Sequence, residues 1–320
     1  MKICQINPGC GIPIPPPSWG AIEKIVWDFT CNLKELGHEV DIKWANEIQP
    51  GEYDIVMVHV ANLALELADR GIPYIFQHHD HHAYHYGKDS DVYRKNKEAM
   101  EKSLCSLVPA RYLVDYFECD KVEYFSHGVD INTFFPNINP PIQHSFLMLA
   151  NNGLGGYGDY DRKGFELGIK TAMSCNLPIT IAGPKNNENW FNNNPWIKGY
   201  PKLSVVYDLS NEHLRQLYTS HTIFLHPSEL EAGHPNLTIL EAAACGLPVV
   251  ATNWSGHLDF LKLGKFIGVD SLVNTIHESR VDNQIFIKDT KWAYPIEADA
   301  KRRLKKFYES SQMPQQWAKE

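Results

Sequence analysis

The chain has 320 residues, 43% of them hydrophobic, enough apolar material to bury two ordinary cores. Its net charge of -8 argues against a nucleic-acid binder, which needs a phosphate-neutralising surface. The seven cysteines form no C-x-x-C pair and read as reduced thiols of a cytoplasmic protein. No apolar run reaches the length of a membrane span, and prolines follow the short N-terminal strand too closely for a signal peptide.

Strand and helix signals alternate along the chain, which predicts an α/β class with parallel sheets. Residues 2–7 read as a strand, followed by a proline-rich loop. A helix is expected over 21–36, because Ile22, Ile25, Val26, Phe29, Leu33 and Leu36 recur at three-and-four spacing and Gly37 supplies a stop. Short apolar runs at 55–60, 74–76, 146–150, 179–182 and 223–225 read as buried strands. The polar, proline-bearing stretch 137–141 is the linker candidate. A last helix is expected around 297–310. Ligands of doubly wound sheets sit outside the carboxyl ends of the strands.

The most informative stretch runs from Pro227 to Gly256. It reads as a loop with two carboxylates, Glu229 and Glu231, then a turn of Gly233, His234 and Pro235. A helix over 236–244 follows, opened by Asn236, Leu237 and Thr238 and carrying Glu241; Gly246 ends it and 248–252 is a strand. A loop entering a helix N-terminus aims free N–H groups and partial positive charge at one point, which suits a diphosphate. Carboxylates beside it suit the hydroxyls of a sugar or ribose. Phosphate and sugar together suggest a nucleotide sugar.

Two other clusters stand out. Arg162 and Lys163 lie at a helix start beside a glycine-rich loop, 153–158, whose N–H groups can converge on an anion; the plainer reading is a solvated basic pair. His78, His79, His81, His82 and His85 crowd around Asp80 and suggest a metal site or a loop whose histidines face water. The basic run Lys301, Arg302, Arg303, Lys305, Lys306 sits on a helix with apolar Leu304, Phe307 and Tyr308; it reads as a wet face, with contact to an anionic membrane the sharper option.

Several of these stretches resemble the retaining GT-B glycosyltransferases of family 4 (glycosyl transferases group 1). The run from Glu241 to Thr252, EAAACGLPVVAT, resembles the second half of that family's donor-site signature. Trp19-Gly20-Ala21-Ile22-Glu23 and Gly37-His38-Glu39-Val40 resemble the start and end of the family's first loop and helix, with Ala21 where a second glycine is usual. His127-Gly128-Val129-Asp130 resembles the close of its first domain, and Arg162-Lys163-Gly164 the lysine-glycine of its second. Two features depart: Glu231 and Glu241 are further apart than the family's two glutamates, and the arginine that usually ends the preceding strand is absent, Leu149-Ala150-Asn151-Asn152 standing there instead.

The resemblance implies two facing Rossmann-like doubly wound domains with a cleft between them. The N-terminal domain would span 1–138, completed by the C-terminal helix 297–320, and the donor-binding domain 139–296. It implies transfer of a hexose from a nucleotide diphosphate sugar, GDP-mannose ahead of UDP-glucose, to an acceptor hydroxyl with retention. His79, Lys163 and Glu231 would be catalytic. Gly20, Ala21, Arg162, Lys163, Gly233, His234, Pro235, Asn236, Leu237, Thr238 and Glu241 would bind donor, with no metal or other cofactor. The acceptor would be a glycan, glycoprotein or lipid-linked group; peripheral membrane contact and a homodimer stay open. Two alternatives remain: a metal-dependent hydrolase built on the 78–85 histidines, and a nucleotide-sugar-binding epimerase or non-catalytic subunit.

Overall fold

The computed structural model describes residues 1–18, 20–79, 88–139, 144–151, 161–229, 236–281 and 287–309. Trp19, Asp80, His81, His82, His85, the 153–158 loop, Glu231, Gly233, His234 and Pro235, on which the sequence placed expectations, lie outside these residues. Two compact units account for the chain.

The first unit alternates strand and helix: β1 (Lys2–Ile6), α1 (Ala21–Glu35), β2 (Glu39–Lys43), β3 (Ile55–Val58), α2 (Ala61–Asp69), β4 (Ile75–Gln77), α3 (Asp91–Lys102), β5 (Cys105–Val108), α4 (Arg111–Tyr116) and β6 (Val122–Tyr124). Its six strands pair in parallel in the order β2-β1-β3-β4-β5-β6. Apolar side chains from the strands and from α2 to α4, among them Val58, Leu67, Phe76, Met100 and Phe117, fill one core.

The second unit repeats the plan with β7 (Phe146–Leu149), α5 (Phe165–Cys175), β8 (Ile179–Gly183), α6 (Glu188–Asn193), β9 (Leu203–Tyr207), α7 (Asn211–Thr219), β10 (Ile223–His226), α8 (Leu237–Ala244), β11 (Val249–Thr252), α9 (Leu258–Leu261) and β12 (Ile267–Val269). The sheet order is β12-β11-β10-β7-β8-β9, again all parallel. Every residue of β7, β10 and β11 is buried, which is why these strands read as unbroken apolar runs and not as alternating ones. An antiparallel pair, β13 (Ser271–Thr275) and β14 (Lys291–Pro295), follows, and α10 (Glu297–Glu309) ends the described chain.

Strand order reverses direction between β1 and β3 in the first sheet and between β7 and β10 in the second. At such switch points the connections leave to opposite faces and open a crevice at the carboxyl ends of the strands. Each unit therefore has one place that its topology prepares for a ligand.

Two boundaries differ from the sequence reading. The units divide after His127 and not after residue 138. The cause is Phe134, which is buried in the second core with Leu147, Leu149 and Tyr218 and ties 128–136 to that unit. Helix α10, expected to complete the first domain, buries Ala300, Leu304 and Phe307 in the second unit's core, alongside Phe165, Ile169 and Ala172 of α5. Its polar face carries ion pairs: Lys301 with Glu297, and Arg302 and Arg303 with Asp299. Those pairs reduce the net positive charge that an anionic membrane would meet.

Candidate functional site

In the second unit the carboxyl ends of β7 and β10 flank the turn that starts α5. Asp161 caps that helix: its carboxylate accepts the N–H groups of Phe165 at 2.7 Å and Glu166 at 2.6 Å. Gly164 takes a left-handed φ of 77°. Between these two residues sit Arg162 and Lys163, in a backbone with little freedom. The carbonyl oxygen of Arg162 accepts the Glu229 N–H at 2.9 Å and the Ser228 hydroxyl at 3.0 Å. The hydroxyl of Thr252, at the end of β11, donates to the Ser228 carbonyl at 2.8 Å. His257 Nε2 donates to the Thr252 carbonyl at 2.7 Å. The ends of β10 and β11 and the start of α5 are thus joined by one run of hydrogen bonds.

Both cations of this turn are buried, each only 6% exposed. Arg162 Nη2 donates to the Asn151 carbonyl just past β7 at 3.0 Å, whereas Nε and Nη1 have no partner among the described residues. Burial lowers the pKa of Arg162 to about 10, so it remains charged at neutral pH. Burial, reinforced by the neighbouring Arg162 charge, holds Lys163 well below the ordinary lysine range. Burial and the Lys163 charge lower His257 to about 4. A pocket that crowds positive charge out of water gains most from an anion that enters it.

Helix α8 opens on Asn236, whose side-chain oxygen accepts the Thr238 N–H at 3.0 Å and the Thr238 hydroxyl at 2.6 Å. Leu237 is the first helical residue. One turn on, buried Glu241 accepts the Tyr218 hydroxyl at 2.9 Å through Oε2. Burial, reinforced by the Glu241 charge and that bond, keeps the phenol well above its usual range. Glu229 pairs with Arg280, whose guanidinium also lies 5.5 Å from the Trp292 ring centroid.

In the first unit the switch point holds histidines. His79 lies just past β4 and His59 just past β3; both are buried. His59 Nδ1 and His79 Nε2 are 3.0 Å apart, and His59 Nε2 is 2.8 Å from Gln5 Oε1. The His127 ring lies 5.5 Å from that of His79. His78 turns to other partners, with Nδ1 3.2 Å from Asn96 Oδ1. Among the described residues no group of three or more His, Cys, Asp or Glu side chains is arranged to hold a metal. Gly20, at φ 138°, precedes α1, and Ala21 is its first residue.

The structure thus brings Arg162, Lys163 and the 228–229 backbone together, and builds Leu237, Thr238 and Glu241 into one short helix capped by Asn236. Gln5, His59, Tyr218, His257 and Arg280 escaped sequence reading; all but His257, whose partner Thr252 is a near neighbour, are recruited by a partner far along the chain. His59 left one usable signal: a lone histidine directly after an apolar strand.

Comparison with known proteins gives the fold a context. Residues 169–276 match the family described as glycosyl transferases group 1, which covers part of the second unit. No curated protein matches the chain. Among solved structures, sucrose-phosphate synthase from Thermosynechococcus elongatus superposes with a TM-score of 0.73 at 13% identity, covering 99% of this chain and 92% of that one. WaaG, a glycosyltransferase involved in lipopolysaccharide biosynthesis, gives 0.64 at 12%, covering 99% and 93%. HepE from Anabaena, solved in complex with UDP, gives 0.63 at 13%, covering 99% and 93%. At these identities the likeness is one of fold: two parallel six-stranded α/β units, as in GT-B glycosyltransferases.

Proposed function

We propose that the protein is a glycosyltransferase that moves a hexose from a nucleotide diphosphate sugar to an acceptor hydroxyl with retention, GDP-mannose being favoured over UDP-glucose. The observation that carries this reading is the buried Arg162–Lys163 pair at the β7/β10 switch point. Two cations out of water, one with guanidinium nitrogens unpartnered among the described residues, are costly until a diphosphate neutralises them. The match of residues 169–276 to a glycosyltransferase family and the GT-B likeness support it.

On this reading Arg162 supplies the charge of the arginine missing at the end of β7. Its reach to the Asn151 carbonyl supports that role. Lys163 and Arg162 hold the diphosphate, and the α8 N-terminus, with Asn236, Leu237 and Thr238, adds N–H groups and partial positive charge. Glu241, oriented by Tyr218, accepts from the ribose hydroxyls. His79 contacts the sugar, and Gly20 and Ala21 border the donor. Gly233, His234 and Pro235 belong to the same donor loop, and Glu231 is its first carboxylate.

The bond from the anomeric carbon to the β-phosphate oxygen breaks as the acceptor oxygen bonds to the same face. The acceptor's hydroxyl proton passes to the departing phosphate oxygen. The protein's part is electrostatic: preorganised cations stabilise charge growing on the diphosphate, and one such donor is typically worth about 3 kcal/mol. A glycan, glycoprotein or lipid-linked group is the acceptor, and no resident metal is required.

The test is turnover of GDP-mannose and UDP-glucose with candidate acceptors, the product's anomeric configuration being read by NMR. Retained configuration is expected. Hydrolysis with inversion contradicts the retaining mechanism. Donor binding without any transfer favours the non-catalytic reading.

A further inference from the structure

Three buried side chains at the switch point of the first sheet form a directed hydrogen-bond chain. Gln5 of β1 is fully buried and sits opposite Met57 of β3 in the parallel register. Its amide nitrogen lies 3.2 Å from Met57 Sδ, which can only accept, so the nitrogen faces sulfur and Oε1 faces His59. An amide oxygen only accepts, so at 2.8 Å His59 Nε2 must carry the hydrogen. A neutral imidazole has one N–H, which leaves His59 Nδ1 as a lone pair. His79 Nε2, 3.0 Å away, must then be the donor.

We infer that Gln5 and His59 are positioning residues that fix the ring orientation and tautomer of His79, committing its Nε2 as N–H and assigning any acceptor or proton-binding role of that ring to Nδ1. Such outer partners set which nitrogen of a histidine is available. Burial lowers the pKa of His59 to about 3, so the ring stays neutral across the physiological range and the direction of the chain does not reverse. The chain is also indifferent to His79's own charge, since Nε2–H donates from either form. The consequence for transfer rests on the reading of His79 as the sugar contact: a sugar hydroxyl would donate to Nδ1.

The tautomers are read directly by long-range 1H–15N correlation of the imidazole nitrogens in the full-length 15N-labelled protein at pH 7.5, with His79→Asn assigning the ring. Limiting pyrrole-type Nε2 and pyridine-type Nδ1 shifts are expected for both His79 and His59. A pyridine-type Nε2 at His79, or intermediate shifts averaged between tautomers, overturns the inference. Gln5→Met, which removes the acceptor, should move both rings toward averaged shifts, while Gln5→Glu, which keeps one, should restore the limiting values. Limiting shifts retained in Gln5→Met overturn the role of Gln5. Turnover of GDP-mannose should fall roughly three- to tenfold in Gln5→Met, the scale of one net hydrogen bond. If the shifts behave as expected and turnover does not change, the positioning chain stands and the sugar role of His79 falls.

Discussion

A Cβ placed on Gly164 would lie 2.3 Å from the carbonyl oxygen of Pro227. The turn before α5 and the chain leaving β10 therefore touch backbone to backbone, and Gly164 also holds a φ of 77° that side chains resist. This contact seats Lys163 beside the end of β10. Gly164→Ala is expected to destabilise the protein by about 2–4 kcal/mol, from strain at positive φ and overpacking together. Chemical denaturation measures it; a loss under about 0.5 kcal/mol would mean that the two segments separate at little cost.

Lys163 is held at the site against its own solvation. Lys163→Met keeps the length and removes the charge, so its melting temperature should equal or exceed that of the unsubstituted protein. Turnover should nevertheless fall by about two orders of magnitude, the scale for losing one preorganised electrostatic donor. Because burial disfavours the charged lysine and a diphosphate favours it, donor binding should draw a proton from solution and weaken as pH rises. Titration calorimetry in buffers of different ionisation enthalpy reads that uptake. A destabilised variant with normal turnover would reverse the assignment.

His59 and His257 give the protein an acid-sensitive window. Burial depresses their pKa values to about 3 and about 4, so in the folded state both stay neutral where the unfolded chain gains protons. The unfolded state binds more protons below the ordinary histidine value of 6.5, so stability is lost as pH falls through that value. Between pH 7.5 and 5.5 the pair should cost about 2–3 kcal/mol. His59→Gln and His257→Gln should each remove roughly half of that slope. Unchanged slopes in both variants would show that neither ring is kept neutral by the fold.

The parts of the fold that depend on local pattern were legible. The 21–36 helix forms as Ala21–Glu35, stopped where Gly37 takes φ 86°, and the 223–225 run becomes β10 with His226 added. Asn236 turned out to be a cap and not a helical residue, a distinction that a side-chain oxygen two residues before Thr238 could have signalled. The pairing of Arg162 with the end of β7 was legible only as a missing arginine at one place and an extra one at another. What stayed hidden is nonlocal. Gln5, His59 and His79 are spread across 74 positions of sequence and meet because β1, β3 and β4 are consecutive neighbours in the sheet. Packing of α10 in the second unit was hidden too, since Ala300, Leu304 and Phe307 mark a buried face without naming what covers it.

The claim on which the account rests is that a pyrophosphate is gripped by the two desolvated cations. Isothermal titration of the full chain with GDP-mannose, UDP-glucose, GDP and UDP tests it most directly. Saturable one-to-one binding of at least one diphosphate is expected, weakened tenfold or more, about 1.4 kcal/mol, in Lys163→Met. Absence of binding by all four ligands, or equal affinity in the variant, would contradict it.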